Sequence, residues 1–335
     1  MIATTNGTPV SISALGCHVP DRVVTNDDLA ELVETSDEWI QERTGIRERR
    51  FARDDEALSD LVLPAARAAL DRAGVRARDL DLVIVATVTP DMVFPSTAAI
   101  VADQLGASEA GAYDLSAGCT GFMYAIAQAS GMIGAGLSRT ALVVGADVLS
   151  KIVDMTDRST CVLFGDGAGA AVIEPADAAG FLGFELGADG AGGVDLNLPA
   201  GGSRLPSSAE TVAGGLHYVQ MNGRQVFKFA TRVLVSSAEA LLERTGLAIE
   251  DVDVYVPHQA NVRIIDHAVA RLGIPKEKVV VNVDRYGNTS SASIPLALAE
   301  AVADGRVHEG DTVLMTGMGA GLTWASALLR WTATP

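Results

Sequence analysis

The chain has 335 residues, 48% of them hydrophobic and 5% aromatic. That is enough to bury a large core, and so few aromatics suit closely packed α/β layers better than an aromatic-rich β-sandwich. With 25 Lys+Arg against 42 Asp+Glu, the net charge of −17 argues against a general nucleic-acid-binding surface, and no apolar run reaches the length of a membrane span.

The opening stretch, MIATTNGTPVSISALG, has no basic segment ahead of an apolar one, so no signal peptide is expected. Residues 69–87, ALDRAGVRARDLDLVIVAT, read as a helix closed by Gly74, a turn and a buried strand. AIVADQLGA (99–107) reads as a helix closed by Gly106, and AYDLSAGCTGFMYAIAQA (112–129) as a strand, a small-residue turn and an Ala-rich helix. RTALVVGADVLS (139–150) reads as a strand running into a loop. Residues 180–222 are Gly-rich and irregular, and are expected to be surface loops with a short strand around GFLGFELGADG.

The pattern then repeats. LLERTGLAIEDVDVYVPHQ (241–259) matches 69–87, with Leu242-Glu243-Arg244-Thr245-Gly246 against Leu70-Asp71-Arg72-Ala73-Gly74. HAVARLGIP (267–275), VVNVDRYGNTSSASIPLALAEA (280–301) and GDTVLMTGMGAG (310–321) follow in the same order as their first-half counterparts. This predicts two duplicated βαβαβ-containing halves, 1–175 and 176–335, whose sheets pack with helices between and around them. Strands without alternation, LVIVAT and ALVVGA, fit sheets covered on both faces. In this alignment Gly118-Cys119 falls opposite Gly287-Asn288, and the two turns are expected to meet near a common centre.

Three cysteines, Cys17, Cys119 and Cys161, are odd in number and widely spaced with no CxxC pair. That predicts neither a disulfide framework nor a zinc site, and a reducing, cytoplasmic compartment. Cys17 and Cys161 lie in apolar sequence and read as core residues. Cys119 stands at a glycine-lined helix start, where free N–H groups and the helix dipole favour a thiolate and a lowered pKa. Of the five histidines, His258 alone follows a strand directly, at the carboxyl end where α/β sites form, with Asn261 beside it. Asn288 by itself reads as a turn former. Cysteine, histidine and asparagine all at sheet-edge turns make a more coherent set than any one of them alone. The glycines of FGDGAGAAV (164–172) do not complete a dinucleotide fingerprint, so NAD binding is not expected.

DLSAGCTGFMYA, FGDGAGAAV, PHQANVRII, GNTSSASIP and GAGLTWASALL, taken together, resemble the thiolase superfamily and, more narrowly, its β-ketoacyl-acyl-carrier-protein synthase III family. The resemblance runs from residue 9 to 332. It implies an α/β, thiolase-like, five-layered αβαβα fold and a homodimer. It also implies a decarboxylating Claisen condensation of a short acyl-CoA primer, acetyl-CoA foremost, with malonyl-ACP, giving acetoacetyl-ACP, CoA and CO2 at the start of type II fatty acid synthesis. Cys119 would be acylated, and His258 and Asn288 would donate to the thioester oxygen. The backbone amides of Cys119 and Ala320 would form the oxyanion hole, with Ala320 where many relatives have Gly. Trp39, Arg43, Arg158 and Asn261 would contact CoA, with Trp39 and Arg158 on opposite faces of its adenine. Phe94 would close the acyl pocket across the dimer interface, and Lys228, Arg263 and Arg271 would receive the acidic acyl carrier protein. No metal or resident cofactor is implied. The FGDG segment would be structural, beneath the nucleophile's helix. Competing readings are a branched-chain or polyketide starter-unit condensing enzyme or acyltransferase, and a cysteine hydrolase. A degradative thiolase would need a further catalytic cysteine near the C-terminus, and none follows Cys161. A hydroxymethylglutaryl-CoA synthase would favour an added acidic catalyst, which Asn288 speaks against.

Overall fold

The computed structural model describes residues 8–177 and 180–333. The first sheet is built from β1 (Val10–His18), β2 (Leu82–Ala86), β3 (Gly111–Leu115), β4 (Ala141–Asp147) and β5 (Gly167–Pro175), in the order β1-β5-β4-β2-β3. β2 is parallel to both β3 and β4, whereas β5 runs antiparallel to β1 and β4. Every residue of β2 and β4 is buried, which explains their unbroken apolar runs. The second sheet has β6 (Phe181–Ala188), β7 (Val254–Pro257), β8 (Thr312–Gly319) and β9 (Thr323–Arg330), in the order β7-β8-β9-β6.

Helices supply the other three layers. Residues 37–44 form α1 (Asp37–Thr44), a short helix at the surface. α2 (Leu58–Ala73) and α3 (Thr97–Leu105) cover the outer face of the first sheet. α4 (Gly121–Gly134) lies between the sheets, touching β4 on one side and β9 on the other. α5 (Gly223–Thr245) and α6 (Val262–Leu272) cover the outer face of the second sheet, and α7 (Ser293–Ala303) joins α4 in the middle. The order is helix, sheet, helix, sheet, helix. Apolar side chains fill each gap: Leu61 and Val83 in the first, Phe122 and Ile294 in the middle, and Leu234 and Leu314 in the last.

The duplication appears at the backbone. α2 ends at Gly74 with φ 66°, its N–H bonded to Leu70 O, and α5 ends at Gly246 with φ 71°, its N–H bonded to Leu242 O. Three sequence expectations change. The short strand expected around GFLGFELGADG runs the full length of 181–188 as an edge strand, because β9 supplies hydrogen-bond partners along its length. The run at 280–283 is no strand. Val279 makes one isolated bridge to Tyr255, and the amides of Asn282 and Val283 are taken instead by the Gln259 side chain at 3.0 and 3.3 Å. The counterpart of Cys119 is also not Asn288. A 3-10 turn, Gly118–Thr120, precedes α4, and another, Ser290–Ala292, precedes α7. Both turns begin with a positive φ, 55° at Gly118 and 51° at Ser290. Cys119 therefore corresponds to Ser291, and Asn288 lies three residues upstream.

Each turn is seated on a glycine of the opposite half. A Cβ on Gly319 of β8 would lie 2.5 Å from the Cys119 amide nitrogen, and a Cβ on Gly145 of β4 would lie 2.3 Å from the Ser291 carbonyl oxygen. Gly145→Ala should thus overpack the centre and destabilise the protein by about 1–3 kcal/mol or more. Gly131, exposed within α4 and with open space where a methyl group would stand, is the control: Gly131→Ala should stabilise by about 0.5–1 kcal/mol. Urea unfolding of both variants checks the pair, and equal effects would contradict the seating.

Candidate active site

Cys119 lies at the start of the turn into α4 and is 9% exposed. Gly118 is held at φ 55°, and a Cβ there would come within 2.7 Å of the Ala320 amide nitrogen. The amides of Cys119 and Ala320 are thereby neighbours, both in the leading turns of 3-10 segments where N–H groups have no intrahelical acceptor. Ala320 fits without strain, since Gly321 and Leu322 carry the positive φ values of this loop. Two threonines tie the loop to the turn. Thr120 Oγ1 lies 2.7 Å from Ala117 O and 2.9 Å from Thr323 Oγ1, which is itself 3.1 Å from Ala117 O, so the two hydroxyls share that carbonyl.

The expected low thiol pKa is not found. Burial pushes the Cys119 thiol up to about 11, and the carboxylate of Asp147 adds to the rise, while a hydrogen bond from the Ser290 hydroxyl opposes it. Removing water from a thiolate outweighs the helix start. The other two cysteines are free and also shifted upward by burial.

His258 follows β7, and its N–H bonds Thr316 O of β8 at 2.8 Å. The side chain is 1% exposed, with Nδ1 2.5 Å from Ser293 Oγ in the first turn of α7. Nε2 has no partner among the described residues. Burial lowers its pKa to about 3, so the ring is neutral at physiological pH. Asn288 is 8% exposed and is fixed through its backbone, with N–H to Leu163 O at 2.8 Å and its carbonyl accepting from Gly165 at 3.0 Å. Its side-chain Oδ1 accepts from the Ser290 amide at 2.9 Å, which leaves the amide nitrogen as the free donor end. The FGDG segment therefore serves to hold Asn288. Its Asp166, pushed up to about 6 by burial, accepts from Ser150 and from the Ala52 amide.

Cys119, His258 and Asn288 line one cavity of about 150 Å³ together with Phe164, Met318 and Gly319, and it opens past Phe227 and Asn261. Near it, the Arg158 guanidinium lies 4.9 Å from the centre of the Trp39 ring and Arg43 lies 5.9 Å from it. The expected slot for an adenine between Trp39 and Arg158 is closed, because Arg158, donating to Glu34 O at 2.6 Å, occupies the ring face itself. Asn261 is largely engaged: its amide donates to Arg43 O at 3.0 Å and its oxygen caps α6 at the Arg263 amide. Arg263 lies 5.8 Å over Phe227, beside exposed Lys228 on α5. Arg271, also exposed, sits at the far end of α6, two helical turns away. Phe94 does not line this cavity. It is 83% exposed, next to Val93 at 87%. No three His, Cys, Asp or Glu side chains gather as a metal site among the described residues, and no helix is long and apolar enough to cross a membrane.

Two family models match the chain: 3-oxoacyl-(acyl-carrier-protein (ACP)) synthase III over residues 113–190, and the C-terminal model of the same family over 242–331. The β-ketoacyl-(acyl-carrier-protein) synthase III of Symbiobacterium thermophilum is 58% identical over 96% of this chain and 98% of its own. The chain belongs to the β-ketoacyl-acyl-carrier-protein synthase III family. A solved synthase III from Thermus thermophilus is 52% identical with a TM-score of 0.90, covering 97% of this chain and 100% of its own. The priming β-ketosynthase of the R1128 polyketide biosynthetic pathway is 38% identical with a TM-score of 0.91, covering 100% and 99%. The five layers are thus the thiolase fold of this family.

Some polar residues of this synthase III site are not evident from sequence. Asp147, fully buried at the end of β4, accepts from Thr87 Oγ1 (2.9 Å) and the Val88 amide (2.8 Å) on one oxygen, and from Ser291 Oγ (2.9 Å) and its amide (3.2 Å) on the other. Ser293 is another. Ser293 sits inside GNTSSASIP, which carries the family resemblance, and Asp147 in the strand ALVVGAD, but their partners are far away in sequence. A thiol with a raised pKa should be alkylated by iodoacetamide at a rate that climbs about tenfold per pH unit through pH 9. Mass-spectrometric counting of modified Cys119 checks this, and a plateau below pH 8 would contradict it.

Proposed function

We propose that the protein carries out the decarboxylating condensation of a short acyl-CoA, acetyl-CoA foremost, with malonyl-ACP, giving acetoacetyl-ACP, CoA and CO2. The observation that carries this reading is the single cavity shared by one thiol, one neutral imidazole and one carboxamide, beside two adjacent free amides. Cys119 Sγ attacks the acetyl thioester carbon, its carbonyl oxygen is met by the Cys119 and Ala320 amides, and CoA leaves as the thiol with the proton that Cys119 loses. A thiol near pKa 11 suits this exchange, since the proton is handed to the leaving sulfur rather than shed to water in advance. Malonyl-ACP then loses CO2, and its C–C bonding pair becomes an enolate whose oxygen accepts from His258 and Asn288. The enolate carbon attacks the acetyl-thioester, the bond to Sγ breaks, and one proton from solvent restores the thiol.

Both donors are neutral, so neither forms a tight salt with the enolate, and His258 does not titrate between pH 5 and 9. No metal or resident cofactor enters these steps. Trp39, Arg43 and Arg158 are assigned to the nucleotide end of CoA, with Arg158 swinging off the Trp39 ring to admit the adenine. Asn261 contributes by tethering Arg43 and α6 at the cavity mouth. Lys228 and Arg263 flank that mouth on an otherwise acidic protein, which suits an acidic carrier protein, and Arg271 extends the basic track along α6. Exposed Val93 and Phe94 support a homodimer in which Phe94 closes the partner's acyl pocket and limits primer length. Three free cysteines suit the cytoplasm. A second reading, a polyketide-priming enzyme with the same chemistry, is favoured by the similarity to the R1128 priming ketosynthase.

Incubation with radiolabelled acetyl-CoA followed by malonyl-ACP tests the reaction: label should pass to Cys119 and then to acetoacetyl-ACP. Release of acetate alone would identify a hydrolase, and a primer panel would separate the two pathways. Cys119→Ser should abolish labelling. His258→Ala and Asn288→Ala should each slow decarboxylation by roughly 10²–10³-fold while acylation falls far less. Equal loss in both half-reactions would reduce them to shaping the site. Lys228→Glu and Arg263→Glu should raise the apparent KM for malonyl-ACP, more at low salt than at high, and leave that for acetyl-CoA unchanged.

A further inference from the structure

The chemistry above needs His258 to present an N–H, and a neutral imidazole carries one hydrogen for two nitrogens. Nδ1 lies 2.5 Å from Ser293 Oγ. Ser293 Oγ also accepts from the Gln259 amide at 3.4 Å, so its own hydrogen is left to donate. Among the described residues, Nδ1 is the one acceptor that this hydroxyl meets. Gln259 is itself locked, with Nε2 donating to Pro257 O and Val280 O at 2.8 and 3.1 Å, and Oε1 accepting from Asn282 and Val283. Ser293 is buried at the first turn of α7, so water offers the hydroxyl no alternative. The other ring nitrogen, Nε2, is buried without a partner in a residue that lines the cavity.

We propose that Ser293 is a positioning residue whose hydroxyl donates to His258 Nδ1 and thereby places the ring hydrogen on Nε2, facing the substrate. This rests on the reading of His258 as a donor to the thioester oxygen. It excludes His258 as the base for Cys119, because the nitrogen on the cavity side has no free lone pair. The reverse tautomer would leave a buried hydroxyl hydrogen with no acceptor.

The test is ¹⁵N NMR of full-length protein labelled at histidine, with the His258 signals assigned by their loss in His258→Gln. In the wild type, Nε2 should carry the hydrogen and Nδ1 should be bare, unchanged from about pH 6 to about pH 9. In Ser293→Ala the two nitrogens should move toward a mixed-tautomer average. Decarboxylation of malonyl-ACP should fall at least about tenfold, acetyl transfer to Cys119 should stay within about twofold, and Ser293→Thr should restore both signals and rate. A hydrogen on Nδ1 in the wild type overturns the proposal. So does a Ser293→Ala protein that keeps wild-type shifts and wild-type decarboxylation. If the wild type itself fails to decarboxylate malonyl-ACP, the proposed reaction is wrong, while the nitrogen shifts still decide what Ser293 does.

Discussion

Two short turns that rest on each other's strands govern the centre of this protein. The Cys119 turn is seated on Gly319 of the second sheet, and the Ser291 turn on Gly145 of the first. Neither contact tolerates a side chain, so the backbones meet at a separation that fixes both sheets relative to α4 and α7. The adjacency of the Cys119 and Ala320 amides, the place of His258 at the end of β7, and the shape of the cavity all follow from that approach. Packing this close has little slack, because interiors behave as jammed solids rather than as liquids.

Such a centre is deeply buried, and burial sets its electrostatics. The thiol is raised, the imidazole is held neutral, and Asp147 and Asp166 are pushed upward too. Burying a carboxylate is costly unless hydrogen bonds surround it, and Asp147 has such a set from both halves of the chain. It links the loop after β2 to the turn that carries Ser290 and Ser291. A site whose ground state is uncharged at the reacting groups stabilises charge only where it develops, through fixed N–H dipoles.

Much of this is legible in the chain. The match of Leu70–Gly74 to Leu242–Gly246 discloses the duplication, because a helix that stops on a left-handed glycine writes the same signature twice. Cys119, His258 and Asn288 each stand out by their position at an element end. The register of the second turn is not legible. Glycine marks positive φ, so Gly287 draws the alignment, yet the conformation that matters belongs to Ser290, a residue that seldom adopts it. The apolar run at 279–283 has the composition of a strand, but the Gln259 side chain claims its amides, a contact over twenty residues away in sequence. The thiol's pKa escapes the sequence for a related reason. A helix start can be read locally, whereas desolvation depends on everything that packs around it.

The stack of Arg158 on Trp39 has its own consequence. If Trp39 and Arg158 hold the nucleotide end of CoA, as proposed, the guanidinium already lies over the indole face, so a purine would gain a stacking partner only by displacing one. Binding would then be an exchange rather than an addition, and the net affinity for the nucleotide would be the small difference between two similar contacts. A handle held that loosely would let go readily, which suits an entrance that one carrier must vacate before a second, bulkier one can deliver its cargo.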